Sequence, residues 1–423
     1  MRRIVITGIG AVTPLANNFF DSWSLVKKGI SGISRISKFD TTGLSWTMAG
    51  EVKGFNPELY LSKKEILKLD PFLHYAVAAA TMAAEDAGLT SKQSAVSSQQ
   101  SKEQKNSELL NSAGVIIGSS RGGITTIEKE FQKLYSSYPS PIAYRLSPYL
   151  MPSTTISMAA SYVAQKLGTK GHCLGISNAC ASGTNAIGEA YRLIKHGYAD
   201  IVIAGGTEAP ICRFCVGGYG ISGALSKTDN PSASRPFDTK RDGFVLAEGA
   251  CILVLEEYAS AIKRNAEIYG EIIGYSSTTD AYHITRPDIE GEIRAIHSSL
   301  EDAGVSPEDV DYINAHGTST PIGDMVEANA IKNIFRSNIP APVTSIKSMT
   351  GHMLAASGAF EAACTAMSIK EEIIPPTINI TQKDHECNIN VITEKKEADI
   401  KIAITNSFGF GGVNAVIVLK AID

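Results

Sequence analysis

Short runs rich in Val and Ile recur along the chain at 4–6, 115–117, 201–203, 252–255, 343–346, 402–405 and 415–419, with helical patterns at 75–87, 183–196, 290–303, 323–335 and 356–370 between several of them. Strand-length apolar runs separated by amphipathic or Ala-rich helical stretches specify an α/β architecture in which sheets are covered by helices. A chain of 423 residues with 43% hydrophobic residues can bury a large core. Its 37 glycines suit helices that pack closely on strands. A strand followed by a Gly-rich turn occurs around Ile176 to Ala190 and again around Ile402 to Val416, which suggests two similar halves, 1–260 and 261–423.

Lys and Arg total 39 against 43 for Asp and Glu, a formal net charge of −4, and no block is strongly basic, which argues against nucleic acid as a partner. Met-Arg-Arg leads straight into Ile4, Val5 and Ile6 without the apolar stretch of a secretory signal. The most apolar helical candidate, Met349 to Ile369, holds His352 and Glu361 and reads as a buried helix rather than a membrane span. Seven cysteines without framework spacing read as free thiols, and a cytoplasmic protein is expected. The polar stretch from Thr90 to Ser112 reads as a solvated insertion.

Cys180 lies in GISNACASGTNAIGEAYRLI, between a strand-like stretch ending at Ile176 and a periodic helix from about Ala181. A thiol at a helix start meets unpaired N–H groups that favour thiolate, although a buried structural cysteine is the alternative. His316, in DYINAHGTSTPIGD, and His352, in TSIKSMTGHMLAASGAFEA, each follow a strand and adjoin glycine. Such a pair can donate hydrogen bonds to a developing enolate oxygen, or each can be ordinary polar packing. NSFGFGGVNAVIV is either a plain glycine hairpin or a turn that presents an amide to a thioester oxygen. TGIGAV lacks the third glycine of a dinucleotide fingerprint, and the Cys212/Cys215 pair has no second pair at zinc spacing.

The motifs NACASGTNAIG, RPFDTKRDGFVLAEGA, DAYHITRP, NAHGTSTPIGD, KSMTGH and NSFGFGGVN, in this order, resemble the β-ketoacyl-acyl carrier protein synthases, most closely the type II elongating enzymes of fatty acid synthesis. The resemblance covers nearly the whole chain. It implies the thiolase-like fold, two similar αβαβα halves in a five-layered core, and a homodimer. By motif position Cys180 is the acyl-carrying nucleophile, and His316 and His352 drive malonyl decarboxylation and stabilise the enolate. Lys347 tunes the second histidine, Glu361 is the carboxylate behind it, Phe410 is a gate whose amide joins that of Cys180 in the oxyanion hole, and Thr318 and Thr320 line the malonyl side. The resemblance implies no metal or organic cofactor for the chemistry, leaves a structural cation open, and names acyl- and malonyl-loaded carrier protein as partner, with Lys63, Lys64 and Lys68 in KKEILK as a basic rim for it.

The sequence departs from the family pattern at several places. Ala247, Cys251, Ala355 and Ser357 are small replacements expected to adjust packing, and Asn178 stands where Thr or Ser is usual. Ser120 and Arg121, in GSSRGG, replace a glycine and a medium apolar residue at the neck of the acyl pocket, which leaves chain length open. Arg121 either turns out toward Glu128 or Glu130 or restricts the pocket. A second catalytic cysteine of a thiolase is missing from NSFGFGG, and two histidines rather than His with Asn argue against a priming synthase. The retained Cys180 argues against a non-catalytic polyketide subunit, and a polyketide ketosynthase with a specialised acyl chain remains the alternative.

Overall fold

The structure, a computed structural model, describes residues 2–90, 108–136, 146–335 and 341–422. Most of the polar 90–112 stretch lies outside the described residues. Ten strands form the main sheet: β1 Ile4–Val12, β2 Gly114–Gly118, β3 Cys173–Ile176, β4 Ile201–Glu208, β5 Gly249–Glu257, β6 Gly270–Thr279, β7 Tyr312–Asn314, β8 Val343–Thr344, β9 Ile402–Gly409 and β10 Val413–Lys420. Six helices frame the site: α1 Pro71–Asp86, α2 Met158–Leu167, α3 Ser182–Lys195, α4 Ile289–Ala303, α5 Pro321–Ile334 and α6 Ala355–Glu371.

The sheet order is β8-β7-β9-β10-β6-β1-β5-β4-β2-β3. The first five strands lie in the order 1-5-4-2-3 and the last five in the order 6-10-9-7-8, the same topology advanced by five. Pairing directions repeat as well: β1/β5 and β5/β4 are antiparallel and β4/β2 and β2/β3 parallel, as are their counterparts. The halves join through an antiparallel contact of Ile4–Ile6 with Gly270–Ile272.

Side-chain alternation builds the layers. On β4 and β5, Ile201, Ile203, Ile252 and Val254 face outward against α1 and α2. Val202, Ala204, Leu253 and Leu255 face inward against α3 and α6. In the second half, Ile404, Val416 and Val418 pack with Ala295 and Ile296 of α4 and Ala328 and Ile331 of α5. Helix pair, one half of the sheet, helix pair, the other half of the sheet, helix pair is the five-layered αβαβα arrangement.

The repeat registers differently from the expected echo. The segment Ile402 to Val416 forms the hairpin β9–β10, which corresponds to β4–β5. The counterpart of β3–α3 is β8–α6. Cys180 and His352 therefore occupy equivalent junctions, each between an inner-layer helix and the strand before it.

Glycine permits the close approach of these layers. A Cβ on Gly183 of α3 would lie 2.1 Å from the Ala355 carbonyl oxygen, and one on Gly206 of β4 2.2 Å from the same atom. Gly10 in the TGIGAV segment serves a similar end, since a Cβ there would meet Ala79 O of α1 at 2.1 Å. These contacts are why that segment needs glycine. No helix among the described residues is long and apolar enough to cross a membrane, and α6, within the segment singled out for its apolarity, is buried from Ala355 to Ile369.

Candidate active site

Cys180 follows β3 in a single 3-10 turn, Ala179–Ala181, that runs directly into α3. Ala179 takes a left-handed φ of 45°, a strained conformation for a residue with a Cβ and one that sharpens the turn carrying the thiol. Asn178 is tied into the turn, accepting none of the cap bonds but donating from its amide nitrogen to Ser182 Oγ (2.8 Å) and from its side chain to Asn185 Oδ1 (3.1 Å).

His352 Nε2 stands 3.0 Å from Cys180 Sγ. Its backbone is fixed on both sides, its N–H donating to Val245 O and its carbonyl accepting from Ala247 N–H. Ser357 Oγ accepts the Met353 N–H at 2.9 Å and lies 3.2 Å from His352 Nδ1. In the tautomer with the imidazole proton on Nε2, facing the sulfur, the Ser357 hydroxyl donates to Nδ1. Ser357, expected only to adjust packing, thus orients a site histidine.

His316 follows β7 and packs edge-on against His352, ring centroids 5.4 Å apart at 84°. Its main-chain N–H donates to Glu327 Oε1 and that of Gly317 to Glu327 Oε2, both at 2.7 Å. Lys347 is fully buried; its Nζ donates to the His316 carbonyl at 2.6 Å and to Glu361 Oε1. The lysine therefore braces the first histidine directly as well as acting on the second. Burial, with the Lys347 charge behind them, holds both imidazoles well below the usual histidine range, so each is a neutral N–H donor at neutral pH.

The thiol differs from expectation. Burial pushes Cys180 up to about 11, against the opposing pull of Lys347 and of the Phe410 amide hydrogen bond. Desolvation outweighs the helix start, and the resting group is a thiol rather than a thiolate. The glycine hairpin between β9 and β10 does reverse the chain, with Gly411 and Gly412 at φ of 89° and 68°, and it also brings the Phe410 amide to the sulfur.

A cavity of about 380 Å³ opens onto Cys180, His316 and His352, and Thr318 and Thr320 line it, their hydroxyls 3.1 Å apart. Cys180, His316 and His352 bring one donor atom each within 4.8 Å of one another, a spacing a zinc ion could use. A buried ammonium behind both imidazoles and a thiol pushed up to about 11 oppose a dication there. Behind the site, Asn314 Oδ1, Glu361 Oε2 and Thr405 Oγ1 are buried without partners, and Asn314 pairs with Thr405 across β7 and β9.

Arg121 is not among the residues lining that cavity. Its guanidinium lies over the Tyr219 ring, 5.3 Å from the centroid, and Tyr219 does line the cavity, 6.5 Å from the Phe410 ring. The two acids expected to hold it are engaged elsewhere: Glu128 accepts from Phe214 N–H, and Glu130 from Lys133 and Ser147 N–H. The Arg121 amide instead donates to buried Glu208. Cys212 and Cys215 are buried thiols, both pushed up by burial, as ordinary core cysteines are. Sequence reasoning missed Glu208, Glu292, Glu327 and Phe244, whose ring meets His352 edge-on at 5.2 Å. Only their contacts mark them.

Comparison with known proteins accords with this arrangement. The β-ketoacyl synthase N-terminal domain model matches residues 1–261, and the β-ketoacyl synthase C-terminal domain model matches residues 269–381. A 3-oxoacyl-[acyl-carrier-protein] synthase 2 of Staphylococcus aureus (strain COL) is 44% identical over 427 residues, covering 100% of this chain and 99% of that protein. Among solved structures, the ishigamide ketosynthase/chain length factor superposes with a TM-score of 0.90 at 32% identity, and a type II polyketide ketosynthase in complex with its acyl carrier protein, bound to the hexaketide, with 0.87 at 34%; each covers 100% of both chains. With a cysteine and two neutral histidines brought together by a repeated five-layered fold, and with these matches spanning both halves, the chain belongs to the β-ketoacyl synthase family, as a condensing enzyme of its type II branch.

Proposed function

We propose that this chain carries out the decarboxylating Claisen condensation of an acyl group held on Cys180 with malonyl-acyl carrier protein, giving 3-oxoacyl-acyl carrier protein in fatty acid elongation. The observation that carries this reading is the meeting of Cys180 Sγ with two neutral imidazoles in one cavity. Residues 1–260 supply the nucleophile and residues 261–423 the histidines.

In the first step Cys180 sulfur attacks the carrier thioester carbonyl, the C–S bond to the carrier thiol breaks, and the thiol proton leaves with that carrier. The amides of Cys180 and Phe410 receive the carbonyl oxygen as it gains charge, a reading supported by the Phe410 amide hydrogen bond at the sulfur. In the second step the malonyl C–C bond breaks and carbon dioxide departs. Its electron pair forms an enolate, whose oxygen accepts N–H bonds from His316 and His352. Neutral donors suit this task, since an imidazolium would protonate the enolate. The enolate carbon then attacks the Cys180 thioester, the C–S bond breaks, and the released thiolate takes up one proton from water. Lys347 and Glu361 hold the histidines in position and do not touch substrate.

The acyl carrier protein is the partner this reading requires, and the likeness to a ketosynthase solved with its carrier supports it. The helix Lys63–Lys68 presents Lys63, Lys64 and Lys68 beside exposed Leu67, a rim suited to an acidic carrier. A homodimer accords with the edge of the sheet: β3 is mainly exposed, Leu174 at 48%, whereas β8 at the opposite edge is buried. The likeness to the ishigamide ketosynthase/chain length factor and to a type II polyketide ketosynthase supports a second reading, a polyketide-type synthase with a specialised acyl chain. Product analysis after mixing acyl- and malonyl-loaded carrier proteins tests the first reading. A 3-oxoacyl product two carbons longer supports it, and unchanged substrates contradict it.

A further inference from the structure

Four carboxyl side chains line the cavity that holds Cys180, His316 and His352: Asp280, Glu292, Asp324 and Glu327. Three are held by N–H donors. Glu327 accepts from the His316 and Gly317 amides and from Asn406 Nδ2. Asp324 accepts from the Phe237 and Ser319 amides and lies near Arg241. Asp280 accepts from Asn414 Nδ2 at 2.6 Å and from the Asp288 amide at 3.0 Å. Glu292, on the first turn of α4, is only 1% exposed, and its Oε2 is buried with no hydrogen-bond partner.

A buried, unpartnered carboxyl is costly, and in a catalytic cavity it has a natural use when a ligand completes it. The incoming extender unit is a carboxylate. We propose that the Glu292 carboxyl is an additional malonyl-recognition group, donating a hydrogen bond from its O–H to the carboxylate of the malonyl unit. The proposal rests on the condensation reading and adds a residue to it.

The surroundings keep the proton in place. Burial, with Glu327, Asp280, Asp288 and Asp324 around it, pushes the Glu292 carboxyl well above the usual range. The cationic groups nearby are otherwise placed: Arg241 is committed to Asp324 and Asp384, and Lys347 to Glu361 and the His316 carbonyl. His316 and His352 are neutral. Arg286, exposed at the rim, is the one Lys or Arg among the described residues lining the cavity and is the charged competitor for a malonyl carboxylate. Protonated, Glu292 attracts that carboxylate; ionised, it repels it. Malonyl affinity is therefore present while pH lies below the folded value of Glu292 and is lost as pH rises through it.

The test is the KM for malonyl-carrier protein at saturating acyl-carrier protein, from pH 6 to 9, for wild type, Glu292→Ala, Glu292→Gln and Arg286→Ala. Glu292→Ala should raise this KM about tenfold or more at neutral pH, the value of a hydrogen bond to a charged group, while acyl loading of Cys180 stays intact. Glu292→Gln keeps a donor, so its KM should stay near wild type at neutral pH where Glu292→Ala loses affinity, and at any pH where the wild-type KM rises the rise should be absent from Glu292→Gln. If Glu292→Ala does not fold, Glu292→Met, which fills the space without a donor, takes its place. An unchanged KM in the variant without a donor, a loss in Glu292→Gln as large as in that variant, or a KM increase confined to Arg286→Ala overturns the proposal and leaves the condensation reading standing. A wild type that loads no acyl group and condenses nothing overturns both.

Discussion

Cys180 Sγ and His352 Nε2 lie 3.0 Å apart although 172 residues separate them in the chain. Each residue ends the same strand-to-helix crossover in its own half, and the inner helices α3 and α6 pack with an Ala355 carbonyl against Gly183. The repeat thus supplies the geometry of the proposed site: one copy of the junction carries the thiol, the other an imidazole.

Cys180→Ala should abolish acyl transfer to the protein while changing stability by only about 1 kcal/mol, since the substitution removes one sulfur atom from a packed turn. Intact mass after exposure to acyl-carrier protein, with a thermal melt alongside, checks both parts. An adduct on Cys173, the exposed cysteine, would show that the nucleophile was misassigned.

His316→Ala and His352→Ala should each slow malonyl decarboxylation about 10²–10³-fold while acyl loading falls far less, the scale seen when one oxyanion donor is lost. Both imidazoles are held well below the usual range, so decarboxylation in wild type should show no histidine inflection between pH 6.5 and 8. Their stability contribution has the sign of a depressed group: it is present above the unfolded value of about 6.5 and is lost as pH falls toward the folded values. A rate that climbs through an ordinary histidine titration would contradict neutral donors.

Lys347→Met should destabilise the protein by about 3–5 kcal/mol, because it leaves Glu361 buried without its counter-charge. Adding Glu361→Leu should recover much of that stability without restoring decarboxylation. Denaturant titration of the single and double variants, with decarboxylation rates, separates the two effects.

Reversing the charges of Lys63, Lys64 and Lys68 should raise KM for carrier-bound substrates and leave small thioester analogues nearly unaffected, since rim charges act on encounter. Equal losses with both substrate types would place the effect in folding rather than docking.

Arg121→Ile tests the neck of the acyl site on a ladder of saturated acyl-carrier substrates. The guanidinium lies over Tyr219 and is not part of the cavity lining, so the turned-out arrangement predicts a chain-length profile close to wild type, and a selective gain toward long chains would show that Arg121 restricts the pocket. A chain-length profile unchanged in a folded variant would release Arg121 from any part in specificity.

The candidates Cys180, His316 and His352, which the structure brings together, were legible because each sits in a local motif at a strand end, and the α/β class was legible because strand and helix periods alternate. β6 escaped, since GEIIGYSSTT mixes apolar residues with hydroxyls, and only the structure reveals that Ser276 is buried against Ala295 O. The repeat was suspected but misregistered, because sheet order is not written in adjacent residues. Ser357 beside His352, Lys347 on the His316 carbonyl and Arg121 over Tyr219 are tertiary meetings that no local pattern specifies. The thiol was misjudged because helix position is visible in sequence and desolvation is not.

The most direct test is to follow Cys180 itself by peptide mass spectrometry through one turnover. Acyl-carrier protein should leave the acyl group on Cys180, and malonyl-carrier protein added next should clear it, with one carbon dioxide released and one 3-oxoacyl product formed per thiol. An acyl group that stays on Cys180 after malonyl-carrier protein is added, or that leaves only as the free acid, would contradict carbon–carbon bond formation at this site.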